Sequence, residues 1–169
     1  RLIDLIIPRG SNAFVEYIMR NSQIPVLGHA EGLCHVYVDA TADVEMATNI
    51  IVNAKCSRPS VCNAAETLLV HRAIARFFLP QCLTRLLKEG VELRGCEKTR
   101  MIIPELAQAT EEDWETEYGQ LILSVKIVDS LQEAVEHISR YGTGHSETIV
   151  TQDLAKAQEF TNMVDAAAV

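Results

Sequence analysis

The stretch LILSVKIVDSLQEAVEHISRYGTGHSETIVT, Leu121–Thr151, contains one complete strand–helix–strand unit. Leu121–Val128 has the length and apolar composition of a buried strand. The next segment, Leu131–Tyr141, is predicted as a helix that ends at Gly142, and Thr148–Thr151 is predicted as a second strand. Because two parallel strands need a crossover, usually a helix, this unit predicts a parallel α/β fold.

The rest of the chain alternates in the same way between short apolar runs and helical patterns. Further strands are predicted over Leu2–Ile7, Ile24–Leu27, Cys34–Val38, Thr67–Val70 and Val91–Leu93. Further helices are predicted from Ser11 or Asn12 onward, from Asp43 to near Cys56, over Ile74–Leu87, in a short stretch with Pro104 in its first turn, and over Leu154–Met163. This order favours the α/β class, with helices packed on mainly parallel sheets.

Composition and charge limit the possible functions. The chain has 169 residues, of which 48% are apolar and 22% charged, as expected of a globular protein with a sizeable core. Its formal charge of −8 argues against a nucleic-acid partner, because such partners are bound through Lys and Arg. No apolar run reaches the roughly 18 residues of a membrane span, and the first residues lack a secretory signal. We therefore expect a cytoplasmic protein with no membrane partner.

The five cysteines are interpreted as reduced thiols. Their number is odd and they form no C-x-x-C pair, so neither a disulfide framework nor a zinc site is predicted. The segment GHAEGLCH, Gly28–His35, holds two His, a Glu and a Cys, but their spacing matches no zinc pattern. Its glycines instead predict a close approach of the main chain to a ligand or to another strand. No metal ligand is assigned.

One cysteine lies where a nucleophile would be expected. In RPSVCNAAETLLVH, Arg58–His71, Cys62 lies between a helix and an apolar strand, shortly after Lys55 and Arg58 and next to Asn63. Positive charge and main-chain N–H groups favour a thiolate, which is the nucleophilic form. The alternative is a small buried residue, since free cysteines are among the most buried residue types. Spacing alone leaves both interpretations open.

Two further segments suit a nucleotide. Pro8-Arg9-Gly10-Ser11 follows a predicted strand and begins a helix, where main-chain N–H groups favour an anion, and Arg9 adds a positive charge. An ordinary turn is the alternative there. Glu117, ahead of the long strand, suits either a ribose hydroxyl or a solvated turn. The G-x-G of YGTGHSE, Tyr141–Glu147, follows a helix and precedes a strand, the wrong order for a dinucleotide fingerprint, so a helix-ending glycine and a turn are favoured.

Taken together, these segments resemble the gamma-glutamyl phosphate reductase family of the aldehyde dehydrogenase superfamily. The matching pieces are, in order, DLIIPRGS, IPVLGHAEGLCHVYVD, RPSVCNAAETLLVH, GVELRG, TEYGQLILSVKIVDSLQEAVEHISRYGTGHSETIVT and VDAAAV. The resemblance covers essentially the whole chain, and the segments around Cys62 and GTGHS are quite specific.

The resemblance implies an NADPH-linked oxidoreductase of L-proline biosynthesis with an aldehyde-dehydrogenase-like α/β fold. It implies the end of a Rossmann-like cofactor domain over residues 1–47, an α/β catalytic domain over 48–150 and a return segment over 151–169. Cys62 matches the nucleophile of the family, which would form a thioester with L-glutamyl 5-phosphate before its reduction to L-glutamate 5-semialdehyde. The cofactor would be held by Pro8, Arg9, Gly10, Ser11 and Glu117.

Contacts to the oxyanion and to the substrate complete the predicted site. The main-chain N–H of Cys62, together with Asn63, would stabilise the developing oxyanion. The substrate is anionic and the protein is acidic, so local cations and hydrogen-bond donors are expected to bind it. The residues assigned to this role are Lys55, Arg58, His145, Ser146 and His29.

Two alternatives to the reductase remain open. An ordinary aldehyde dehydrogenase needs a general base to hydrolyse its thioester, and His29 stands where relatives of that type carry a Glu, with Glu31 two residues on. The other alternative is a catalytically incomplete module, because the sequence starts without methionine and lacks the N-terminal part of the family. A homo-oligomer is expected by resemblance, with a glutamate 5-kinase fused to the protein or working with it.

Overall fold

The computed structural model describes residues 2–10, 12–28 and 32–169, with Asn12 described by its main chain alone. The chain divides into two compact units, which we describe separately. The first unit comprises residues 1–31 and the second comprises residues 32–169. None of the helices within the described ranges combines the length and the apolar character needed to cross a membrane.

The first unit contains one helix and one parallel bridge. Helix α1 spans Asn12–Asn21, and the bridge joins Ile6 to Val26. The strands predicted over 2–7 and 24–27 are therefore wrong in extent, since they share only this bridge. Pro25 has no N–H to extend the pairing, so two hydrogen bonds, both involving Ile6, hold the segments together.

The second unit is a six-stranded parallel sheet with helices between the strands. The strands are β1 Cys34–Val38, β2 Ala65–His71, β3 Glu92–Gly95, β4 Ala107–Gln108, β5 Ile122–Val128 and β6 Glu147–Val150. The helices are α2 Val44–Cys56, α3 Arg72–Lys88, α4 Glu97–Arg100, α5 Glu111–Trp114, α6 Leu131–Tyr141 and α7 Leu154–Met163. The strand order is β4-β3-β5-β2-β1-β6, and every pair is parallel. The predicted α/β class is confirmed.

Apolar clusters lie on both faces of this sheet. Val36 and Val38 of β1 belong to the cluster that includes residues of α2 and α3, such as Phe78. Tyr37, between them, belongs to the cluster with residues of α6 and α7, such as Phe160. Successive residues of a strand point to opposite faces, so a strand buried on both sides is apolar throughout. This explains why Val36–Val38 of β1 and Leu68–Val70 of β2 are continuous rather than alternating apolar runs.

Local signals set the ends of several helices. Asp43 caps α2 by accepting a hydrogen bond from the Met46 N–H at 2.7 Å, as the sequence predicts. Gly142 ends α6, also as predicted. The helix predicted to begin around Pro104 is wrong: the short helix α4 ends before it, and Pro104 lies in the following turn.

The division into compact units differs from the predicted domain boundary. The division falls between residues 31 and 32, whereas the family resemblance places a boundary near Ala47. Ala47 lies inside α2, is fully buried, and belongs to the same apolar cluster as residues of β1 and β2. The assignment of 1–47, 48–150 and 151–169 to cofactor, catalytic and return segments stays a prediction.

Candidate active site

Cys62 lies in the connection between α2 and β2, which we call the Cys62 turn (residues 57–64). Two main-chain hydrogen bonds form it: the Val61 N–H donates to the Arg58 carbonyl at 3.3 Å, and the Ala64 N–H donates to the Val61 carbonyl at 2.9 Å. Between them, the side chains of Cys62 and Asn63 are exposed. The interpretation of Cys62 as a buried core residue is therefore wrong.

The main chain around Cys62 offers open hydrogen-bond donors. Within the ranges that the structure describes, neither the Cys62 N–H nor the Asn63 N–H has an acceptor. The Cys62 carbonyl, by contrast, accepts a hydrogen bond from the thiol of Cys34 at 3.3 Å. Two adjacent N–H groups without acceptors, beside an exposed thiol, can bind a negatively charged oxygen as it develops on a substrate.

A buried ion pair connects the two ends of this turn. Lys55, in the last turn of α2, places its Nζ 2.7 Å from Glu66 Oε2 on β2, and the two side chains are 0% and 2% exposed. The other oxygen of Glu66 accepts a hydrogen bond from the Gly119 N–H at 3.2 Å. Burial lowers the pKa of Lys55 and raises that of Glu66, whereas the ion pair opposes both shifts. Burial and the pairing with Glu66 argue against the predicted contact of Lys55 with an anion, and that role stays a prediction.

Arg58 differs from Lys55 in being exposed. Its side chain has no ion pair or hydrogen bond within the described part of the chain. A cavity of about 340 Å³ opens beside it. The cavity is lined by Asn53, Ala54, Ser57, Arg58, Val61, Asn63 and Ala64. A guanidinium at such a cavity is available to an anionic group.

Strand order brings two other segments to the Cys62 turn. Strands β2, β1 and β6 are parallel neighbours, so the segments that precede them meet at the same edge of the sheet. These segments are the Cys62 turn before β2, residues 32–33 before β1, and GTGHSE before β6. We call Gly142–Glu147 the GTGHSE segment.

Both predicted residues of the GTGHSE segment lie beside Cys34. His145 Nδ1 is 4.0 Å from Cys34 Sγ and 2.8 Å from Ser146 Oγ. Both side chains are partly buried. Since Cys34 also contacts the Cys62 carbonyl, the structure brings His145 and Ser146 to the same edge as the exposed thiol. Their role in substrate binding stays a prediction.

Side-chain bonds tie the GTGHSE segment to β1. Thr143 Oγ1 accepts from the Leu33 N–H at 3.1 Å. The Glu147 carboxylate accepts from the His35 N–H at 2.9 Å and lies 3.0 Å from His35 Nδ1, with both side chains fully buried. The segment is therefore held against β1 from both of its ends.

The residues predicted to hold a nucleotide are divided between the units. In the first unit Pro8 is buried, whereas Arg9 and Gly10 are exposed ahead of α1. In the second unit Glu117 is half-buried in the loop before β5 and makes no hydrogen bond with the described residues. Ser11 and His29 lie outside the described residues.

Sequence reasoning missed Cys34 and Glu66 and found Gly32 only in general terms. Glu66 sits in an apolar run, and Cys34 begins one, so neither stands out by pattern. The glycines of GHAEGLCH were predicted to allow a close approach, and Gly32 confirms it. A Cβ at Gly32 would overlap the carbonyl oxygen of Cys62.

Comparisons with known proteins agree with this architecture. No protein-family model matches the chain. It is 58% identical over 168 residues to a gamma-glutamyl phosphate reductase from Synechococcus sp. (strain JA-3-3Ab), covering 99% of this chain and 37% of that protein. The crystal structure of a gamma-glutamyl phosphate reductase from Thermotoga maritima superposes with a TM-score of 0.95 at 50% identity, covering 99% of this chain and 40% of that one.

A more distant structure shows how general the fold is. Betaine aldehyde dehydrogenase from Staphylococcus aureus, solved in complex with NAD+, has a TM-score of 0.79 at 17% identity and covers 99% of this chain and 43% of its own. The parallel sheet and its helices therefore have the aldehyde dehydrogenase fold. At the level of sequence, the chain belongs to the gamma-glutamyl phosphate reductase family. It spans 37% of the length of the Synechococcus relative.

Proposed function

We propose that this chain carries the catalytic cysteine of an enzyme that reduces L-glutamyl 5-phosphate to L-glutamate 5-semialdehyde and phosphate with NADPH, in L-proline biosynthesis. The observation that carries the proposal is Cys62, an exposed thiol beside two N–H groups without acceptors in the described ranges. The identity of 58% to a gamma-glutamyl phosphate reductase supports the choice of substrate.

The first chemical step belongs to Cys62. Its thiolate attacks the carbonyl carbon of the acyl phosphate, so a carbon–sulfur bond forms. The carbon–oxygen bond to the phosphate then breaks, and inorganic phosphate leaves with the bonding electrons. The product on the protein is a thioester. An acyl phosphate suits this route because phosphate is a good leaving group, so no base is needed to activate water.

The N–H groups of the Cys62 turn would stabilise the charge that develops in this step. Negative charge builds up on the carbonyl oxygen of the substrate as sulfur attacks. The N–H groups of Cys62 and Asn63 are held by a turn and have no competing acceptor in the described chain. They can bind that oxygen without breaking an existing hydrogen bond, which is the condition for preorganised stabilisation.

Charged groups of the substrate need partners of their own. Arg58 is the exposed cation nearest in sequence to Cys62, and it lines a cavity together with Asn63. We assign Arg58 to the phosphate or the carboxylate of the substrate. His145, Ser146 and His29 are proposed as hydrogen-bond partners.

The described residues include the charged and polar groups that a nicotinamide nucleotide needs. Exposed Arg9 and Gly10 precede α1, a position that suits a phosphate group. Pro8 and Ser11, which flank them in sequence, are proposed as further contacts. Glu117 is half-buried without a hydrogen bond in the described chain, as expected of a carboxylate that receives one from a ligand hydroxyl. NADPH, when bound, supplies the reducing equivalent that turns the thioester into an aldehyde. The release of that aldehyde returns the thiolate of Cys62.

Cellular context completes the proposal. The unpaired cysteines fit a reducing compartment, so we expect the enzyme to work in the cytoplasm. We further propose that it forms a homo-oligomer and receives its acyl phosphate from a glutamate 5-kinase, either fused to it or separate. An acyl phosphate hydrolyses readily, which favours close coupling of the two steps.

The decisive experiment traps the acyl-enzyme in the full-length protein. Substrate is added without cofactor, the protein is denatured and digested, and the peptide that carries the added glutamyl mass is identified. We expect the mass on the Cys62 peptide, and its absence there would contradict the proposal. Cys62→Ser should lose turnover by at least about 10³-fold while its unfolding midpoint stays unchanged, because the side chain is exposed.

Phosphate dependence separates the reductase from a hydrolytic aldehyde dehydrogenase. In the oxidative direction the thioester must be released by inorganic phosphate if the proposal is right. We expect turnover of the aldehyde to require phosphate. Equal rates with and without phosphate would favour hydrolysis.

A further inference from the structure

Cys34 directs its thiol at the main chain of the Cys62 turn. It is the first residue of β1 and is 3% exposed. Its main chain pairs with Ala65 of β2, whereas its Sγ–H donates to the Cys62 carbonyl at 3.3 Å. The side-chain bond is therefore a contact of its own, separate from the sheet ladder.

Gly32 restrains the same carbonyl from the same segment. A Cβ at Gly32 would overlap the Cys62 carbonyl oxygen, so the two main chains are in direct contact. Between Gly32 and Cys34, the Leu33 N–H is bound to Thr143 Oγ1 at 3.1 Å. Residues 32–34 thus form a support that is itself anchored to the GTGHSE segment.

Fixing this carbonyl fixes a donor on the opposite side of the peptide. The peptide group is planar, and the described chain has no cis peptide bond, so the Asn63 N–H points away from the Cys62 carbonyl. That N–H is one of the two without an acceptor in the described ranges. The orientation of an open donor therefore depends on the contact made by Cys34.

The thiol of Cys34 keeps the proton that this contact needs. Burial, followed by the nearby carboxylate of Glu147, raises the pKa of Cys34 to about 12. At neutral pH the side chain is therefore a neutral donor rather than a competing thiolate. Its other neighbour, His145 Nδ1, lies 4.0 Å away, at the limit of a hydrogen bond to sulfur.

We propose that Cys34 is a positioning residue: with the main chain of Gly32, it holds the Cys62–Asn63 peptide in the orientation that leaves its N–H open to the substrate oxyanion. The binding of a substrate oxyanion by this N–H rests on the proposed function. The control of the Cys62 turn by Cys34 does not. Cys34 acts through the Cys62 carbonyl and does not touch the substrate.

The test compares substitutions of two buried cysteines in the full-length enzyme. Cys34→Ala removes the donor, and Cys34→Ser keeps one that can reach the same carbonyl. Cys82→Ala is the matched control. It deletes the same atoms from a side chain that is 0% exposed in α3 and does not contact the Cys62 turn. We expect kcat to fall about tenfold in Cys34→Ala with KM within twofold, since one donor is displaced rather than removed. Cys34→Ser should recover most of kcat, and Cys82→Ala should keep it.

A second measurement needs no substrate and so separates this inference from the proposed function. The rate at which iodoacetamide alkylates Cys62 is followed by peptide mass spectrometry in the same variants. We expect alkylation to slow at least threefold in Cys34→Ala and to return to the wild-type rate in Cys34→Ser, because a mobile turn holds the sulfur in its reactive orientation for less of the time.

If the alkylation pattern holds in a protein that fails to reduce the acyl phosphate, the positioning role stands and the proposed function fails. Alkylation and kcat of Cys34→Ala at wild-type levels, or equal losses in Cys82→Ala, would overturn the inference.

Discussion

The Cys62 turn and the GTGHSE segment lie at the same edge of the sheet but use their polar groups differently. In the Cys62 turn, two adjacent N–H groups lack acceptors within the described chain, and the Cys62 and Asn63 side chains are exposed. In the GTGHSE segment, the carbonyls of Gly144 and His145 accept from Ala167 and Ala168. The Cys62 turn thus leaves its thiol and its amide side chain exposed, whereas the GTGHSE segment uses carbonyls and side chains to hold structure.

This difference shows how a reactive loop can be both open and rigid. The Cys62 turn has few bonds of its own, so its shape depends on contacts from outside: Gly32 and Cys34 at its carbonyl, and the pair Lys55–Glu66 at its two ends. The GTGHSE segment in turn anchors residue 33. The open donors of the Cys62 turn are thus held in place by contacts from neighbouring segments. Removing these supports should destabilise the protein to different degrees, and Asp113, which touches neither loop, provides a reference.

Gly32→Ala should have the largest effect. The added Cβ overlaps a main-chain oxygen, which cannot move aside as a flexible side chain would. We expect a loss of at least about 4 kcal/mol in the free energy of unfolding by urea denaturation, or failure to fold. Gly90→Ala is the control: its φ of +81° is strained, but a Cβ there meets nothing within 4 Å, so a loss of only about 1 kcal/mol is expected. Similar losses in both variants would show that Gly32 does not support the turn.

Lys55→Met should come next. It leaves Glu66 buried without its cation, which costs about 3 kcal/mol of unfolding free energy. The double variant Lys55→Met/Glu66→Leu removes both charges and should regain at least half of that loss. A double-mutant cycle in urea measures the difference. If the double variant is no more stable than Lys55→Met, the ion pair is not what holds the ends of the turn.

Asp113→Asn tests stability at a site that touches neither loop. Burial disfavours the charge of Asp113, but hydrogen bonds from Thr110, Arg94 and Tyr118 outweigh it and lower its pKa from 3.8 to about 2. Because the folded pKa lies below the unfolded one, this stabilisation is present above about pH 4 and is lost as the pH falls toward 2. The shift corresponds to about 2 kcal/mol at neutral pH.

The measurement for Asp113 is a pair of unfolding midpoints at pH 7 and pH 3. We expect the wild type to exceed Asp113→Asn in stability at pH 7 and the gap to narrow at pH 3. The alkylation rate of Cys62 should stay unchanged, in contrast to variants of the turn. A gap independent of pH would contradict the role of the charged form.

Thr143→Val should have the smallest effect. It removes the acceptor of the Leu33 N–H, a single neutral hydrogen bond worth about 1 kcal/mol. Thr148→Val is the matched control, since Thr148 is exposed on β6 and makes no side-chain hydrogen bond with the described residues. The free energies of unfolding of the two variants, obtained from thermal unfolding, should differ by about 1 kcal/mol. Identical midpoints would mean that the GTGHSE segment does not need this bond to anchor residue 33.

Helices with strong local signals could be predicted well from the sequence. The apolar spacing from Asp43 onward, with its cap and the following Pro59, fixed α2 to within a residue. Leu131–Tyr141 and Leu154–Met163 match α6 and α7 as predicted. The segment around Pro104 was wrong, because a proline suited to the first turn of a helix also suits a plain turn. Local interactions decide helix ends, so they are visible in a short window of sequence.

The candidate site was only partly predictable. Lys55 and Arg58 are three positions apart and carry the same charge, yet one is buried with Glu66 and the other is exposed. No pattern in the sequence separates them, because burial depends on what packs over each side chain. Cys34 was missed for the same reason, since its partner lies 28 positions away.

By itself, the sequence determined the parallel α/β class, most of the helices and a cysteine between a helix and a strand. The order of the strands was decided only in the tertiary structure. That order places β1 between β2 and β6, so that residues 32–34, the Cys62 turn and the GTGHSE segment meet although Leu33 and Thr143 are 110 positions apart. Periodicity and caps act within a few residues, whereas contacts between strands depend on the packing of the whole sheet, and for that reason the supports of Cys62 became visible only there.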